Sequence, residues 1–337
     1  MKINNNKNSP RSYEFKALTD LWTGSVTFKK ENNGRVKEKI VSDRLITTGL
    51  FGSIRWWFEV LVRGLGGSAC DPTGTKCEGQ NHCVVCELFG CTGWARKFRF
   101  EVLDENGNMR KRQEGECEKI SPQIVKDEEF TLRFTPLRPI RIEEWTLLDA
   151  TLRLIAEYGA IGGKTVFKPT DEPRRANKLH HKDFGLVKMI KPAQFDRKGR
   201  NDLEIYLSKW LRLNHGEFAW ASLQHFWCVK GKYLARQGND KSTFNQVLGR
   251  KHAKEQGQRL ANHSDNISKW LAGSQRESKK VFSFKKPART FGFAKPGLVD
   301  FDAMKKRLQD VWGEDGWEFL TGEKIIDRLL AKEGDRS

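Results

Sequence analysis

Gly49 to Arg63 constrains this chain more than any other stretch, reading Gly-Leu-Phe-Gly-Ser-Ile-Arg-Trp-Trp-Phe-Glu-Val-Leu-Val-Arg. Wound on a helix at about 100° per residue, Leu50, Ile54, Trp57, Phe58, Leu61 and Leu65 fall on one side. Arg55, Glu59 and Arg63 gather on the other, with Trp56 at the border. A stripe of that size has to be buried, so the segment predicts a core helix with a solvated basic face. The approach, Arg44-Leu45-Ile46-Thr47-Thr48, supplies candidate N-cap hydroxyls and sets an arginine at the helix start. A helix N-terminus presents unpaired amides and the positive end of the dipole, which suits phosphate groups. Taken alone, the segment is a core helix. The charge of the chain turns attention to its N-terminus.

Lys and Arg number 61 against 43 Asp and Glu in 337 residues, a net charge of +18. The excess sits in two windows. Residues 161–200 hold 11 basic and 4 acidic side chains, and residues 228–290 hold 15 and 4, so these windows carry +7 and +11 and the remainder is neutral. Charge confined in this way predicts a polyanion partner, with nucleic acid the first choice. The polar start, Met1-Lys-Ile-Asn-Asn-Asn-Lys-Asn8, has no apolar signal core, and no run of about 18 apolar residues suggests a membrane span. The expected compartment is cytoplasmic, and its reducing conditions favour metal-bound or free thiols over disulfides for the seven cysteines.

In chain order, alternation predicts a first strand over about 12–28, bulged at Gly24, then the helix and a loop-rich segment over 66–92. Phe98, Phe100 and Val102 alternate with charged residues, and so do the residues of Phe130–Phe134. Asp104–Lys119 between them reads as an exposed hairpin or mobile loop. Ile142, Trp145, Leu148, Leu152 and Ile155 space a second helix ending at Gly159, and a strand follows at Phe184–Ile190. The order β-α-β-β-α-β is that of a ferredoxin-like unit. Beyond it lie a helix near 201–213, a strand near 223–229, a basic helix near 243–262 and a terminal helical region from Phe301. Trp210, Trp220 and Trp227 are the candidate core there. The fold class is α+β, with one domain over 1–190 and a second, ferredoxin-like or helical, over 191–337.

Cys70, Cys77, Cys83 and Cys86 form C-x6-C-x5-C-x2-C, with His82 and Cys91 near enough to replace one of them. Four thiolates suit tetrahedral zinc, and four protein ligands would make the site structural. Buried free thiols are the alternative, and a disulfide comes last. Gly159-Ala-Ile-Gly-Gly-Lys164 exposes backbone but lacks the G-x4-G-K-[ST] spacing of a nucleotide cradle. It reads instead as a glycine loop beside RNA, with Lys164 and the basic Arg174-Arg175 as phosphate contacts. His180 and His181 stand beside Lys182, and one imidazole could take a 2′-OH proton. Neighbouring histidines on a strand point to opposite faces, so His181 reads as a contact residue. A helix-turn-helix or zinc-finger pattern for a duplex-DNA binder is missing.

Thr19-x2-Trp-Thr-Gly24, Gly49-x3-Ser-Ile-Arg-Trp-Trp57, Glu87-Leu-Phe-Gly90 and Gly159-Ala-Ile-Gly-Gly163 together resemble the RAMP superfamily of CRISPR effector subunits. The double-tryptophan helix followed by Leu-Phe-Gly is most similar to the first-subunit branch of type III-B Cmr complexes. The likeness covers about residues 13–190. It implies two ferredoxin-like (RRM-like) lobes, binding of CRISPR guide RNA near its 3′ end, contact with the guide–target duplex and with other Cmr/RAMP subunits, and no RNA cleavage by this chain. It carries to Arg44, Ser53, Arg55, Trp56 and Gly159–Lys164 as RNA-facing residues. With the residue reading, the RNA-binding set is Arg44, Thr47, Thr48, Ser53, Arg55, Trp56, Gly162, Gly163, Lys164, Arg174, Arg175 and His181. The enzyme alternative is a metal-independent RAMP endoribonuclease that processes CRISPR precursor RNA.

Overall fold

A computed structural model describes residues 9–30, 36–41, 45–70, 77–110, 113–114, 119–120, 123–162, 168–176, 178, 181–213, 218–238, 241–249, 265–273 and 277–331. They group into two compact units, one within Met1–Phe58, Cys77–Thr165 and Phe184–Lys198, the other within Glu59–Lys76, Val166–Asp183 and Gly199–Ser337.

β1 (Arg11–Ala17) buries every second residue, the period of a half-buried strand. The single strand expected over 12–28 is in fact two. β1 ends at Ala17, and β2 (Ser25–Lys30) forms a separate hairpin with β3 (Val36–Val41). Between them the chain leaves the sheet because Leu21 and Trp22 are fully buried elsewhere, and the Thr19 hydroxyl accepts a hydrogen bond from the Leu186 amide at 3.0 Å. The first helix, α1 (Thr47–Gly64), is followed by a short α2 (Val84–Phe89), β4 (Phe98–Leu103) and a two-residue ladder of β5 (Gln113–Glu114) with β6 (Lys119–Ile120) in the charged segment. β7 (Glu129–Pro136), α3 (Ile142–Glu157) and β8 (Val187–Lys191) complete the unit. The sheet runs β4-β7-β1-β8 with every pair antiparallel, so the first and third strands of the unit lie at its centre. That is the ferredoxin-like arrangement. Phe51 of α1 meets Phe98 and Phe100 of β4, and both of those meet Phe134 of β7, which joins helix and sheet through one aromatic cluster.

The second unit repeats the order. α4 (Arg200–Ser208) leads to β9 (Phe226–Lys230), α5 (Thr243–Val247), α6 (Asn266–Ala272), β10 (Val281–Lys285), β11 (Ala288–Phe293), α7 (Phe301–Trp312), β12 (Leu320–Thr321) and α8 (Gly322–Leu330). Its sheet runs β10-β11-β9-β12, again second-third-first-fourth and antiparallel throughout. The choice between ferredoxin-like and helical is thereby resolved as ferredoxin-like. The β10–β11 hairpin escapes sequence reading because Ser283, Arg289 and Thr290 are buried along with Phe291 and Phe293, so its polar residues do not mark an exposed face. Asp265 and Asp300 start α6 and α7 by accepting the Ser268 and Ala303 amides at 2.7 and 2.8 Å. The basic helix expected near 243–262 is described only as α5, which ends at Val247; residues 250–264 lie outside the described set. Trp227 is fully buried, while Trp210 and Trp220 are half-buried.

All six residues assigned to the apolar face of α1 are buried. Its opposite face is not solvated as expected. Glu59 and Arg63 are 7% and 6% exposed, and Arg63 donates to the carbonyl of Ala221 at 3.1 Å. A charged residue at this depth is held by the carbonyls it satisfies.

Candidate nucleic-acid interface and metal centre

Three segments converge on α1, and together with α1 they are the four that carry the family likeness. At the N-terminus the Thr23 hydroxyl accepts the Ile46 amide at 2.8 Å. The hydroxyls of Thr47 and Thr48 are therefore not the cap; these residues are the exposed first turn. Acidic side chains are lacking in that turn, which leaves the positive end of the helix unopposed by its own sequence. Farther along, the Ser53 hydroxyl accepts the amide of Gly162 at 3.1 Å. Gly162 has φ +125°, and a Cβ there would come within 2.5 Å of the Trp22 carbonyl oxygen, so the loop after α3 can approach only with glycine. Trp57 donates its indole N–H to the Ala160 carbonyl at 2.8 Å from the buried side of the helix. Trp56 stands edge-on to Trp57, centroids 4.8 Å apart, and is half-buried.

The third segment meets Arg55. Its guanidinium donates to the Gly90 carbonyl at 2.9 Å and to the Cys86 sulfur at 3.2 Å. The sequence placed Arg55 on a solvated face; the structure places it against the cysteine loop. The reason is local: α2 ends at Gly90 with φ +87°, which turns its carbonyl back towards α1.

The sulfurs of Cys70, Cys77, Cys83 and Cys86 all lie within 4.8 Å of one another, and all four residues are buried. Tetrahedral zinc–thiolate bonds of about 2.3 Å would set sulfurs roughly 3.8 Å apart, so the set fits a metal ion with a small contraction. Burial pushes the Cys77 thiol up, with the Cys83 amide at 3.4 Å opposing that by donating to its sulfur. His82 is not a fourth ligand. Its Nδ1 faces the Gly79 carbonyl at 2.6 Å and its Nε2 the Glu87 carboxylate at 2.7 Å. Cys91 is half-buried and stands outside the cluster. Glu87 is half-buried, which works against its charge, but hydrogen bonds from Lys97 and His82 outweigh this and hold it below the usual carboxylate range. Lys97 also donates to both oxygens of the buried Glu144 at 2.8 and 3.0 Å, tying the loop to the start of α3. This network is not legible along the chain, because Glu87 and Glu144 are 10 and 47 residues from Lys97.

Elsewhere, Arg174 and Arg175 both donate to Glu172, at 3.1 and 3.0 Å, and Arg236 donates to its other oxygen. These guanidinium groups depress Glu172 to about 2 in spite of its burial. The Arg174 side chain keeps 64% of its surface exposed. His181 is half-buried, with Nδ1 on the Lys168 carbonyl at 2.7 Å. Arg44, Gly163, Lys164 and His180 lie outside the described residues. The described chain has no helix long and apolar enough to cross a membrane.

Among curated proteins none matches this sequence. Many solved structures are similar to this chain, three CRISPR proteins among them. Cmr1 from Pyrococcus furiosus, in its apo form, is 11% identical with a TM-score of 0.37, covering 96% of this chain and 97% of its own. A chain of a type IV-B CRISPR complex is 11% identical with a TM-score of 0.31, covering 57% and 96%. A chain of the Csm3–Csm4 subcomplex of the type III-A CRISPR-Cas interference complex is 14% identical with a TM-score of 0.28, covering 59% and 94%. The family profile of the RAMP superfamily matches residues 14–167, the stretch that contains α1 and the three segments converging on it. Over those residues, this chain is similar to the RAMP superfamily.

Proposed function

We propose that this chain is a non-catalytic RNA-binding subunit of a type III-B CRISPR effector complex, where it holds the 3′ region of the guide RNA and the guide–target duplex through backbone contacts. The observation that carries this reading is the RAMP superfamily match over residues 14–167. The two basic windows supply the charge such a partner requires. Base pairing reads sequence in guide-RNA complexes, so the protein needs phosphate and shape contacts. Exposed Thr47 and Thr48 at an unopposed helix end, half-buried Ser53 and Trp56, and the backbone of Gly162 offer them. From the sequence, Arg44, Gly163, Lys164, Arg174, Arg175 and His181 are further candidate RNA contacts. The partners are guide RNA, target RNA and other Cmr/RAMP subunits.

The cysteine cluster takes zinc in this reading. Bound there, the ion supplies a cross-link and no reaction chemistry, since four protein sulfurs fill its coordination. Arg55, donating to the Cys86 sulfur, disperses thiolate charge and fastens the loop to α1.

Isolation of the native assembly from its source, with sequencing of the bound RNA, tests the function. Short repeat-derived RNAs and co-purifying RAMP subunits are expected. A chain that comes away alone and free of RNA overturns the reading.

A further inference from the structure

The segment 168–183 belongs to the first basic window, yet it packs within the second unit, where the other basic window lies. Its backbone pairs with Arg236, beyond β9. The Arg236 amide donates to the Pro169 carbonyl at 2.9 Å, and the Asp171 amide donates to the Arg236 carbonyl at 2.8 Å. All three acids of the segment serve this attachment. Asp171 takes the Lys285 ammonium and accepts the Tyr233 hydroxyl at 3.1 Å. Glu172 takes the guanidinium of Arg236 together with those of Arg174 and Arg175, three cations on one carboxylate. Asp183 accepts the amides of Lys285 and Lys286 at 2.8 and 3.0 Å. The remaining cations of the segment face water: Lys178 and Lys182 are exposed, and among the described residues neither has a carboxylate partner. Charges that alternate along the chain are thus sorted, acids inward and cations outward.

The two basic windows meet at Phe244 of α5. Lys168 of the first and Lys279 of the second both stand over its ring, 5.4 and 5.8 Å from the centroid, which bounds the separation of the two ammonium groups at about 11 Å. Lys279 is half-buried and makes no hydrogen bond or ion pair among the described residues, and burial lowers its pKa. An aromatic face attracts a cation without neutralising it. A partly desolvated ammonium with no counter-ion is costly, and an anion from outside removes that cost. His181 connects this pair to the exposed lysines: its Nδ1 lies 2.7 Å from the Lys168 carbonyl, and its amide donates to the Lys178 carbonyl at 2.9 Å.

We propose that the phosphates of an RNA strand run along this surface of the second unit, over Lys168 and Lys279 at Phe244 and over Lys178 and Lys182 on the attached segment. The inference rests on the RNA-binding function proposed above and gives it a location. None of these four lysines is in the RNA-binding set read from the sequence. Lysines are point charges, suited to phosphates and indifferent to bases. An acidic protein is the competing partner, but the described part of the surface has no exposed large apolar side chain to form the centre of a protein interface.

The test is fluorescence anisotropy of the full chain with a labelled single-stranded oligouridylate across a potassium chloride series. Lys168→Gln with Lys279→Gln, and separately Lys178→Gln with Lys182→Gln, should each weaken binding about tenfold or more at low salt. Each pair should also lower the slope of log affinity against log salt by about 1.4, at about 0.7 per charge. Lys209→Gln with Arg212→Gln removes two exposed cations just after α4, in the same unit, and should leave the slope unchanged. Circular dichroism melting checks each fold; Lys178 and Lys182 are fully on the surface, so their pair decides the matter if the first pair perturbs folding. Parental slopes in both lysine pairs overturn the proposal and leave the RNA-binding function standing. Equal slope changes in all three pairs overturn it as well, because net charge alone then accounts for binding. So does retained RNA binding with loss of co-purifying subunits from the native assembly, which assigns the surface to an acidic protein. A parent chain without RNA affinity removes the function and this surface together.

Discussion

The indole N–H of Trp57 donates to the carbonyl of Ala160 at 2.8 Å, 103 residues away in sequence. Gly159 lies flat against the same ring, where a Cβ would come within 2.5 Å of the indole Cζ2. α1 and the loop after α3 are thus held at one separation by one ring. Gly159→Ala is expected to destabilise the protein by about 1–3 kcal/mol, because the ring is packed on all sides and cannot yield. Trp57→Phe, which keeps an aromatic ring but strands a buried carbonyl, should cost about as much. Urea unfolding monitored by circular dichroism measures both; stability within about 0.5 kcal/mol of the parent would refute the contact's importance.

The cysteine loop should carry about one zinc per chain. Cys83→Ser combined with Cys86→Ser is expected to abolish metal binding. Arg55→Gln should keep the metal but release it faster to a chelator, by about ten- to a hundredfold in affinity, as for other outer-sphere partners. Elemental analysis of freshly purified protein and competition with a chromogenic chelator are the readouts. Metal-free protein before any chelator is added would dispose of the site.

Arg55 and Arg174 differ in surroundings and should differ in their effect on RNA. Arg174→Ala removes a largely exposed cation and should lower the salt dependence of guide-RNA binding by about 0.7 per charge. Arg55→Ala removes a guanidinium already engaged by Gly90 and Cys86, so its slope should match the parent. Equal slope changes in the two variants would mean that RNA displaces the contacts of Arg55.

Acid should weaken the second unit through Glu172. Its folded pKa, about 2, lies below the ordinary value of 4.5. The stabilisation is therefore complete above pH 4.5 and is lost as pH falls towards 2, as the carboxylate takes up a proton and releases Arg236, Arg174 and Arg175. Glu172→Gln should be less stable than the parent at pH 7 and should flatten that part of the acid curve. Parallel acid curves for the two proteins would contradict the depressed pKa.

Incubated with precursor or target RNA, with or without divalent metal, the purified chain is expected to leave the RNA intact. Gel analysis of labelled RNA is the check. Cleavage that vanishes in His181→Ala would assign the chain to the processing endoribonucleases.

What the sequence determined is what travels along the chain. The apolar stripe of α1, the alternation of β1, β4 and β7 and the spacing of α3 follow from periodicities of 3.6 and 2, so the first lobe and its strand order were legible. The cysteine cluster was legible too, since its members lie within 17 consecutive residues. Tertiary structure alone decided where polar side chains go. Arg55, Glu59 and Arg63 share one helix face, and periodicity marks such a face as solvated. Yet Arg55 meets the carbonyl that Gly90 turns back, and Arg63 meets Ala221, 158 residues away. Arg11 fits the inward phase of β1, and what makes that tolerable, Trp145 and Phe195, comes from distant segments. Burying an apolar residue requires only that it leave water. Burying a charge requires a particular partner at hydrogen-bond distance, and which atom that is becomes defined only when the chain has closed around it.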